Sequence, residues 1–314
     1  MSVAFIIPHM GREEMLIQTL TSIAQLDDAG HAVEVHVATK NHTLNLPKYL
    51  HSLNLLVHHR PMDETISHQR NYGAQQSQAE YLAFLDADIQ LSNNWLSVLL
   101  ELLQDEPTRV LVSAVQVCEQ DAPPLEKIRT ALSNAHVDCA VRFLPGRNLL
   151  LSRTTFEQVG GFPEHLITCE DYYFTDQVHA LGELYYSSHA SYVHLGEDKE
   201  LKEMYRKEIW RGQSNLQSIK GRKVPLSELP SFLVPVWILL FALATCVAAI
   251  TGQWLISVAS AVCLMTPIML YTLRLYHIAK PAVSFSDVLR FYMYYFPARV
   301  IGTFRGAFQT IGLK

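Results

Sequence analysis

The sequence predicts an α/β domain, a mostly parallel sheet with helices on both faces, joined to a transmembrane helical hairpin and a basic amphipathic tail. Three observations carry this. Short apolar runs alternate with helix-period segments through most of the chain before residue 195. No Asp, Glu, Lys or Arg occurs from residue 231 to residue 273. Beyond that stretch, arginines interleave with aromatic side chains.

Residues 3–7 form an apolar run closed by Pro8, the pattern of a buried strand. Residues 11–25 place Met15, Leu16, Leu20 and Ile23 at helical spacing. Residues 33–38 and 53–57 are strand-like again, and 66–77 helical. A strand follows at 81–85, a helix at 95–103 and a valine-rich strand at 110–117. Strands separated by single helices imply right-handed crossovers. Such sheets bind ligands beyond the carboxyl ends of their strands, so functional residues are expected there.

A spanning helix needs about 20 apolar residues. The uncharged stretch therefore holds two, at 232–250 and 254–273, with Thr251-Gly252-Gln253 as the turn. Pro235 and Pro267 fall near the span ends away from that turn, where a kink is tolerated. A helical pair buried in a soluble core is the alternative, but these segments lack the charged face a soluble helix shows. Lys220, Arg222 and Lys223 precede the hairpin, and Arg274 and Lys280 follow it, so the positive-inside rule puts both ends in the cytoplasm. The tail sets Arg274, Lys280, Arg290, Arg299, Arg305 and Lys314 against one acid, Asp287. Phe285, Leu289, Phe291, Tyr292, Tyr294, Tyr295, Phe296 and Phe304 lie among them, which reads as helices in the headgroup layer. A third span would put Arg290 and Arg299 into hydrocarbon. The first residues carry no basic n-region and no long apolar run, so no signal peptide is expected. The expected organisation is a cytoplasmic domain at 1–222, a hairpin in the inner or plasma membrane at 223–280, and an interfacial tail at 281–314.

Composition excludes several classes. At 49% hydrophobic and 18% charged, the chain is neither disordered nor a coiled coil. A net charge of −5 argues against a general nucleic-acid partner. The cysteines (Cys118, Cys139, Cys169, Cys246, Cys263) show no CxxC or Cys/His ligand spacing. That points away from a zinc site or disulfide scaffold and toward a reducing compartment.

The strand at 81–85 runs into Asp86-Ala87-Asp88. Two carboxylates one residue apart at a strand end can hold a hard divalent cation, Mg²⁺ or Mn²⁺, whose other ligands are phosphate oxygens and water. A solvated turn whose Asp caps the next helix would use the same residues. Other polar motifs surround it in order: Gln69-Arg70-Asn71-Tyr72-Gly73 before it, then Gly146-Arg147-Asn148, Gly160-Gly161-Phe162 and Glu170-Asp171.

This ordered set resembles the family 2 glycosyltransferases with a GT-A fold, a Rossmann-like sheet, over about residues 1–215. The likeness lies in the strand ending Ile6-Ile7-Pro8, the Arg70-to-Gly73 helix, the Asp-x-Asp, and the Gly-Gly-Phe turn before Glu170-Asp171. It is to the branch that carries C-terminal membrane helices. The resemblance implies sugar transfer from a nucleotide-sugar with inversion at the anomeric carbon. It implies that Asp88, with Asp86 nearby, holds a cation that neutralises charge developing on the nucleoside diphosphate leaving group. Asp171 is then the base for the acceptor hydroxyl, and Glu170 raises its pKa or orients the acceptor. Charge stabilisation of a helix N-terminus is the other use for two such acids. Pro8, Arg70, Asn71, Arg147 and Asn148 are expected beside the donor, with helix packing the alternative for Arg70 and Asn71. His194, after the strand-like 191–193, is expected either as a third metal ligand or as a buried, hydrogen-bonded histidine.

Two departures qualify the likeness. Where polymer-extruding relatives carry Gln-x-x-Arg-Trp, this chain has Trp210-Arg211-Gly212-Gln213, which argues for single transfer. Where the family's second strand ends in an acid that contacts the base, this chain runs into Thr39-Lys40-Asn41-His42, leaving that contact to Thr39 or Asn41. The expected activity is an inverting, metal-dependent glycosyltransferase working on a lipid-linked or surface-polysaccharide acceptor at the cytoplasmic membrane face. The alternatives are a polyprenyl-phosphate glycosyltransferase and a catalytically silent membrane scaffold for polysaccharide-assembly partners. Nucleotidyl transfer to a phosphosugar lacks a glycine-rich basic turn after the first strand.

Overall fold

The computed structural model describes residues 1–213, 224 and 226–311. It divides into two compact units, Met1–Cys118 with His136–Glu197, and Glu119–Ala135 with Asp198–Lys314.

The first unit runs β1 (Ser2–His9), α1 (Glu13–Ala24), β2 (Ala32–Thr39), β3 (Leu55–His59), α2 (Ile66–Gln75), β4 (Tyr81–Leu85), β5 (Ile89–Leu91), α3 (Trp95–Asp105) and β6 (Arg109–Val117). After α4 (Pro124–Ser133), which belongs to the second unit, come β7 (Cys139–Val141), β8 (Asn148–Ser152), α5 (Arg153–Gln158), α6 (Glu170–His179) and β9 (Glu183–His194). Every strand and helix expected before residue 118 is present, with ends shifted by a residue or two.

The strands form one sheet in the order β3-β2-β1-β4-β8-β6-β9-β5, with β7 paired to β9. From β3 to β4 all pairings are parallel. Beyond β4 the sheet is mixed: β8 runs antiparallel to β4 and β6, β9 is parallel to β6, and β5 and β7 are antiparallel to β9. That reversal positions the site. Because β8 is antiparallel, its first residue, Asn148, pairs with the last residue of β4, Leu85. The loop before β8 thus arrives at the carboxyl end of β4. Likewise β9 ends with His194 opposite Ile89, just past Asp88.

Side-chain alternation along the strands builds a core on each face. Val3, Phe5 and Ile7 of β1 with Ala83 and Leu85 of β4 pack against Leu16, Leu20 and Ile23 of α1 and Trp95, Leu96 and Leu99 of α3. Ala4, Ile6, Leu82 and Phe84 face the other side, toward Ala74 of α2, Phe156 of α5 and Phe174 of α6. Asn148, fully buried, ties the layers together: its amide donates to the Ala114 carbonyl at 2.9 Å and accepts from the Trp95 indole at 2.8 Å.

The second unit is helical: α4, α7 (Leu201–Gly212), α8 (Leu229–Ile250), α9 (Trp254–Ala279) and α10 (Phe285–Ile311). Helices α8 and α9 are each long and apolar enough to cross a membrane, with mean hydropathy 2.6 and 1.8 over their best windows. Both extend past the expected 232–250 and 254–273. They pair through Trp237 Nε1 donating to the Cys263 carbonyl at 2.8 Å and Ser257 Oγ donating to the Thr245 carbonyl at 3.1 Å. The turn at Thr251-Gly252-Gln253 is a Schellman cap: Gly252 takes φ 73°, its N–H reaches the Ala249 carbonyl, and that of Gln253 reaches Ala248. The tail is one continuous helix, α10, through Pro297. Its Arg299 turns toward the buried Glu208, at 3.7 Å, where Arg129 and Arg211 converge on the same carboxylate and hold its pKa below the usual range despite burial. Lys220, Arg222 and Lys223, on which the orientation rests, and Lys314 lie outside the described residues. All five cysteines are free thiols.

Asn148→Ala leaves the Trp95 indole and the Ala114 carbonyl unpaired in a dry core. It is expected to cost about 2–3 kcal/mol, read as a fall of about 4–10 °C in melting temperature of the detergent-solubilised protein.

Candidate active site

Helix α2 opens on Thr65, whose hydroxyl accepts the His68 N–H at 3.3 Å. The helix buries Gln69, Arg70 and Asn71 where a core helix would bury apolar residues. Such a face is tolerable only where its polar groups find partners. Arg70, 1% exposed, finds three for its two Nη atoms, while its buried Nε is left without one among the described residues. Its Nη1 donates to Glu170 Oε1 at 3.0 Å, and its Nη2 to Asp86 Oδ1 at 2.8 Å and the Gly146 carbonyl at 3.0 Å. Its guanidinium also lies 4.9 Å over the Phe162 ring. Burial alone would pull the Arg70 pKa down, but Asp86, Glu170 and Asp171 more than offset it, so the side chain stays charged. Glycine at 146 leaves the guanidinium room, because a Cβ would stand 3.0 Å from Nη1 and 3.1 Å from Nη2, closer than an ordinary contact.

Arg70 thereby joins the turn after β4 to the start of α6. Asp171 is held by backbone: its Oδ1 accepts the Tyr172 N–H at 2.8 Å and its Oδ2 the Gly146 N–H at 3.4 Å. Burial and the neighbouring Asp171 charge push Glu170 up to about 7, with Arg70 pulling the other way. Burial likewise raises Asp171, against Arg70 and the two N–H donors. Two adjacent carboxyls that ionise reluctantly, partly open to solvent, are the chemistry of a proton acceptor working near neutrality.

Asp88 belongs to a second cluster. Its Oδ1 lies 3.4 Å from His194 Nε2 and its Oδ2 3.0 Å from Arg12 Nη1. Burial opposes ionisation of Asp88, but His194, Arg12 and Arg147 outweigh it and hold the carboxyl below its usual range. On the far side of the ring, His194 Nδ1 lies 3.1 Å from Glu197 Oε2 and 3.0 Å from Arg147 Nη1. Glu197 also accepts from Gln116 Nε2 at 2.9 Å. Burial lowers the His194 pKa, yet its hydrogen bonds to Asp88 and Glu197 leave it raised.

The donor set fits a divalent cation with two protein ligands. An Asp oxygen and an imidazole Nε2 face each other, and the carboxylate behind Nδ1 is the outer-shell partner that metal-binding histidines use. Asp86 Oδ1 accepts from Arg70, and among the described residues no group of three His, Cys, Asp or Glu has metal-binding geometry. Remaining positions would fall to phosphate oxygens and water.

The other expected donor contacts sit as follows. Pro8 is buried in β1 opposite Ala38. Asn71 holds the Gly-Gly-Phe turn: its amide donates to the Phe162 carbonyl at 2.9 Å and to Glu164 Oε1 at 2.9 Å, and accepts the Phe162 N–H at 2.8 Å. Asn148 serves the core, while Arg147 stands by His194. At the end of β2, Thr39 Oγ1 meets buried His9 Nδ1 at 2.9 Å and accepts the Asn41 N–H at 3.1 Å. Sequence reasoning missed Arg12, Gln116 and Glu197. Only Glu197 carried a signal, three residues past His194.

The end of β4, the loop before β8 and the Glu170-Asp171 pair thus meet through Arg70 at one end of the sheet, where open α/β sheets bind their ligands. The profile described as Glycosyl transferase family 2 matches residues 4–167, just over half of the chain, and the chain belongs to that family. No curated protein sequence matches it. Among solved structures, it is similar to the mannosyltransferase PcManGT from Pyrobaculum calidifontis, solved with GDP-Man and Mn²⁺. That match has 19% identity over 96% of this chain and 86% of the other, with TM-score 0.65. It is also similar to residues 1–349 of TarS from S. aureus, with 16% identity over 99% and 92% of the chains and TM-score 0.50. At these identities the likeness shows the fold.

Removing Arg70 strands two carboxylates. Arg70→Ala is expected to cost about 3–5 kcal/mol in denaturant unfolding. Arg70→Lys keeps the charge, but one ammonium cannot serve partners of both Nη1 and Nη2. Sugar transfer by that variant should fall by about tenfold or more.

Proposed function

We propose that this chain is an inverting glycosyltransferase that uses a divalent cation and a nucleotide-sugar, and works on a lipid-linked or surface-polysaccharide acceptor at the cytoplasmic face of a membrane. One observation carries it: Arg70 gathers Asp86, Gly146 and Glu170 so that the β4 end and the Glu170-Asp171 pair border one crevice. In this reading Asp171 takes the proton from the acceptor hydroxyl as its oxygen attacks the anomeric carbon. The bond from that carbon to the diphosphate oxygen breaks, and the electron pair leaves with the nucleoside diphosphate. Attack from the face opposite the leaving group inverts the carbon. Glu170, fixed by Arg70, orients the acceptor. A cation held by Asp88 and His194 would supply neutralisation of the leaving diphosphate. PcManGT solved with GDP-Man and Mn²⁺ supports this donor and cation chemistry.

The membrane part rests on α8 and α9, with 17% and 22% of their most apolar windows buried within the protein. An exposed apolar surface such as Leu240, Leu243, Val247, Leu255 and Val258 is costly in water and stable in lipid. A hairpin with both ends cytoplasmic favours an acceptor that lives at the headgroups. A polyprenyl phosphate is one such acceptor. Polysaccharide-assembly partners are expected on the same side.

The test is a panel of nucleotide-sugars offered to the detergent-solubilised chain with Mn²⁺, with Mg²⁺ and with EDTA. Cation-dependent release of one nucleoside diphosphate is expected, and release unaffected by EDTA would refute the cation's role. Asp88→Asn and Asp171→Asn should each lower turnover by at least about a hundredfold while circular dichroism stays unchanged.

The pH dependence follows from the raised carboxyls. A base works deprotonated, so kcat/KM should rise with pH, and its acid limb should lie well above the usual carboxylate range because burial raises Asp171. In Asp171→Asn, Glu170 loses the neighbouring charge that lifts it, and its titration by carbon-13 NMR should move down from about 7.

A further inference from the structure

Arg12 is an odd residue for its place. It stands at the N-terminal boundary of α1 with a left-handed backbone, φ 34° and ψ 51°, and caps nothing with its side chain. Its side chain is 58% exposed, yet its Nη1 reaches 3.0 Å from the 7%-exposed carboxylate of Asp88. Among the described residues its guanidinium makes one other hydrogen-bond contact, a weak one from Nη1 to the Met15 sulfur at 3.8 Å. Gly196 makes the approach possible, because a Cβ there would stand 2.1 Å from Asp88 Oδ2 and 2.5 Å from Arg12 Nη1. Three chain segments are thus shaped around one guanidinium–carboxylate contact.

That contact takes Oδ2, an oxygen through which Asp88 would hold a cation. A divalent cation on that same oxygen would repel a guanidinium at contact distance. An exposed arginine at the carboxyl end of β1 can leave, however, if another anion is offered. A diphosphate is the anion whose geometry matches a guanidinium fork. We infer that Arg12 competes with the divalent cation for Asp88, and that the donor's diphosphate draws Arg12 away. The cation would then bind well only together with the nucleotide. This rests on the proposed donor and cation reading. Arg12 acts in it as a positioning residue that couples two ligands. His194 Nε2, 3.4 Å from Oδ1, stays beside Asp88 as the second ligand, so Arg12 gives up Oδ2 alone.

The coupling has a signature that a purely structural role lacks: the two ligands respond in opposite directions. In Arg12→Ala, and in Arg12→Gln as a variant of similar length, Mn²⁺ alone should bind tighter by about tenfold, the size of one lost charge-assisted hydrogen bond. GDP or UDP, titrated in EDTA so that no cation takes part, should bind weaker by a similar factor. Calorimetry on the full chain in detergent reads the nucleotides, and electron paramagnetic resonance of free Mn²⁺ reads the cation. Mn²⁺ affinity unchanged or weakened in both variants would overturn the inference, as would nucleotide affinity left intact. Asp88→Asn is the separate control. If adding it to Arg12→Ala leaves Mn²⁺ affinity unchanged, Asp88 is not a ligand, and the inference falls together with the cation reading. If Asp88→Asn loses Mn²⁺ while the Arg12 variants match the wild type, the cation reading stands and the competition alone is refuted.

Discussion

The buried charge of Arg70 is the constraint on which the first unit depends. A guanidinium removed from water must be surrounded by acceptors, and here they come from three distant stretches: Asp86 after β4, Gly146 before β8 and Glu170 at the start of α6. The β4–β8 pairing already brings the first two stretches together, and the guanidinium ties the third to them. The ion cluster therefore does two things at once. It neutralises a charge inside the protein, and it sets the Asp86 and Glu170 carboxyls at a fixed distance from each other. Asn71, the next residue on α2, adds the Gly-Gly-Phe turn to the same assembly through its amide. Activity and folding are thus linked through one helix face.

The sheet explains how these stretches can meet at all. In a wholly parallel sheet, every strand's amino end would lie at the opposite edge from the crevice. The antiparallel β8 breaks that pattern and delivers Gly146, Arg147 and Asn148 to the carboxyl end of β4. β9, parallel to β6 and antiparallel to β5, delivers His194 to Asp88 in the same way. The two carboxylates of the Asp-x-Asp are consequently divided between two clusters. Asp86 serves Arg70, while Asp88 serves His194 and Arg12. A pair adjacent in sequence has separate electrostatic settings, because a turn lets neighbouring residues face different elements.

The helical unit follows another logic. Helices α8 and α9 expose apolar side chains along most of their length, whereas α4, α7 and α10 enclose charged ones. Glu208, buried among Arg129, Arg211 and Arg299, has its cost met by three guanidiniums. Arg211 and Arg299 had the look of surface arginines in a sequence, one in a motif region and one in an amphipathic tail. Packing turned both inward. The aromatic side chains of α10 behave similarly, since Phe291, Tyr292 and Phe296 lie in the core of this unit.

The sequence by itself determined the class of sheet, the strands and helices up to residue 117, the hairpin with its Thr251-Gly252-Gln253 turn, and the identities of Arg70, Asp88, Asp171 and His194 as residues to watch. These are legible because strand alternation, helical period and hydropathy are local properties, and because ordered motifs mark a family. Only the tertiary structure decided the rest. It assigned Asn71 and Asn148 to a turn and a core, gave Glu170 rather than Asp171 the contact with Arg70, and brought Arg12, Gln116 and Glu197 to the Asp88–His194 cluster. It also set which carboxyls ionise reluctantly. The physical reason is that burial and charge pairing depend on which segments meet in space. The meeting was arranged by the reversal of β8, which no local pattern in residues 148–152 announces.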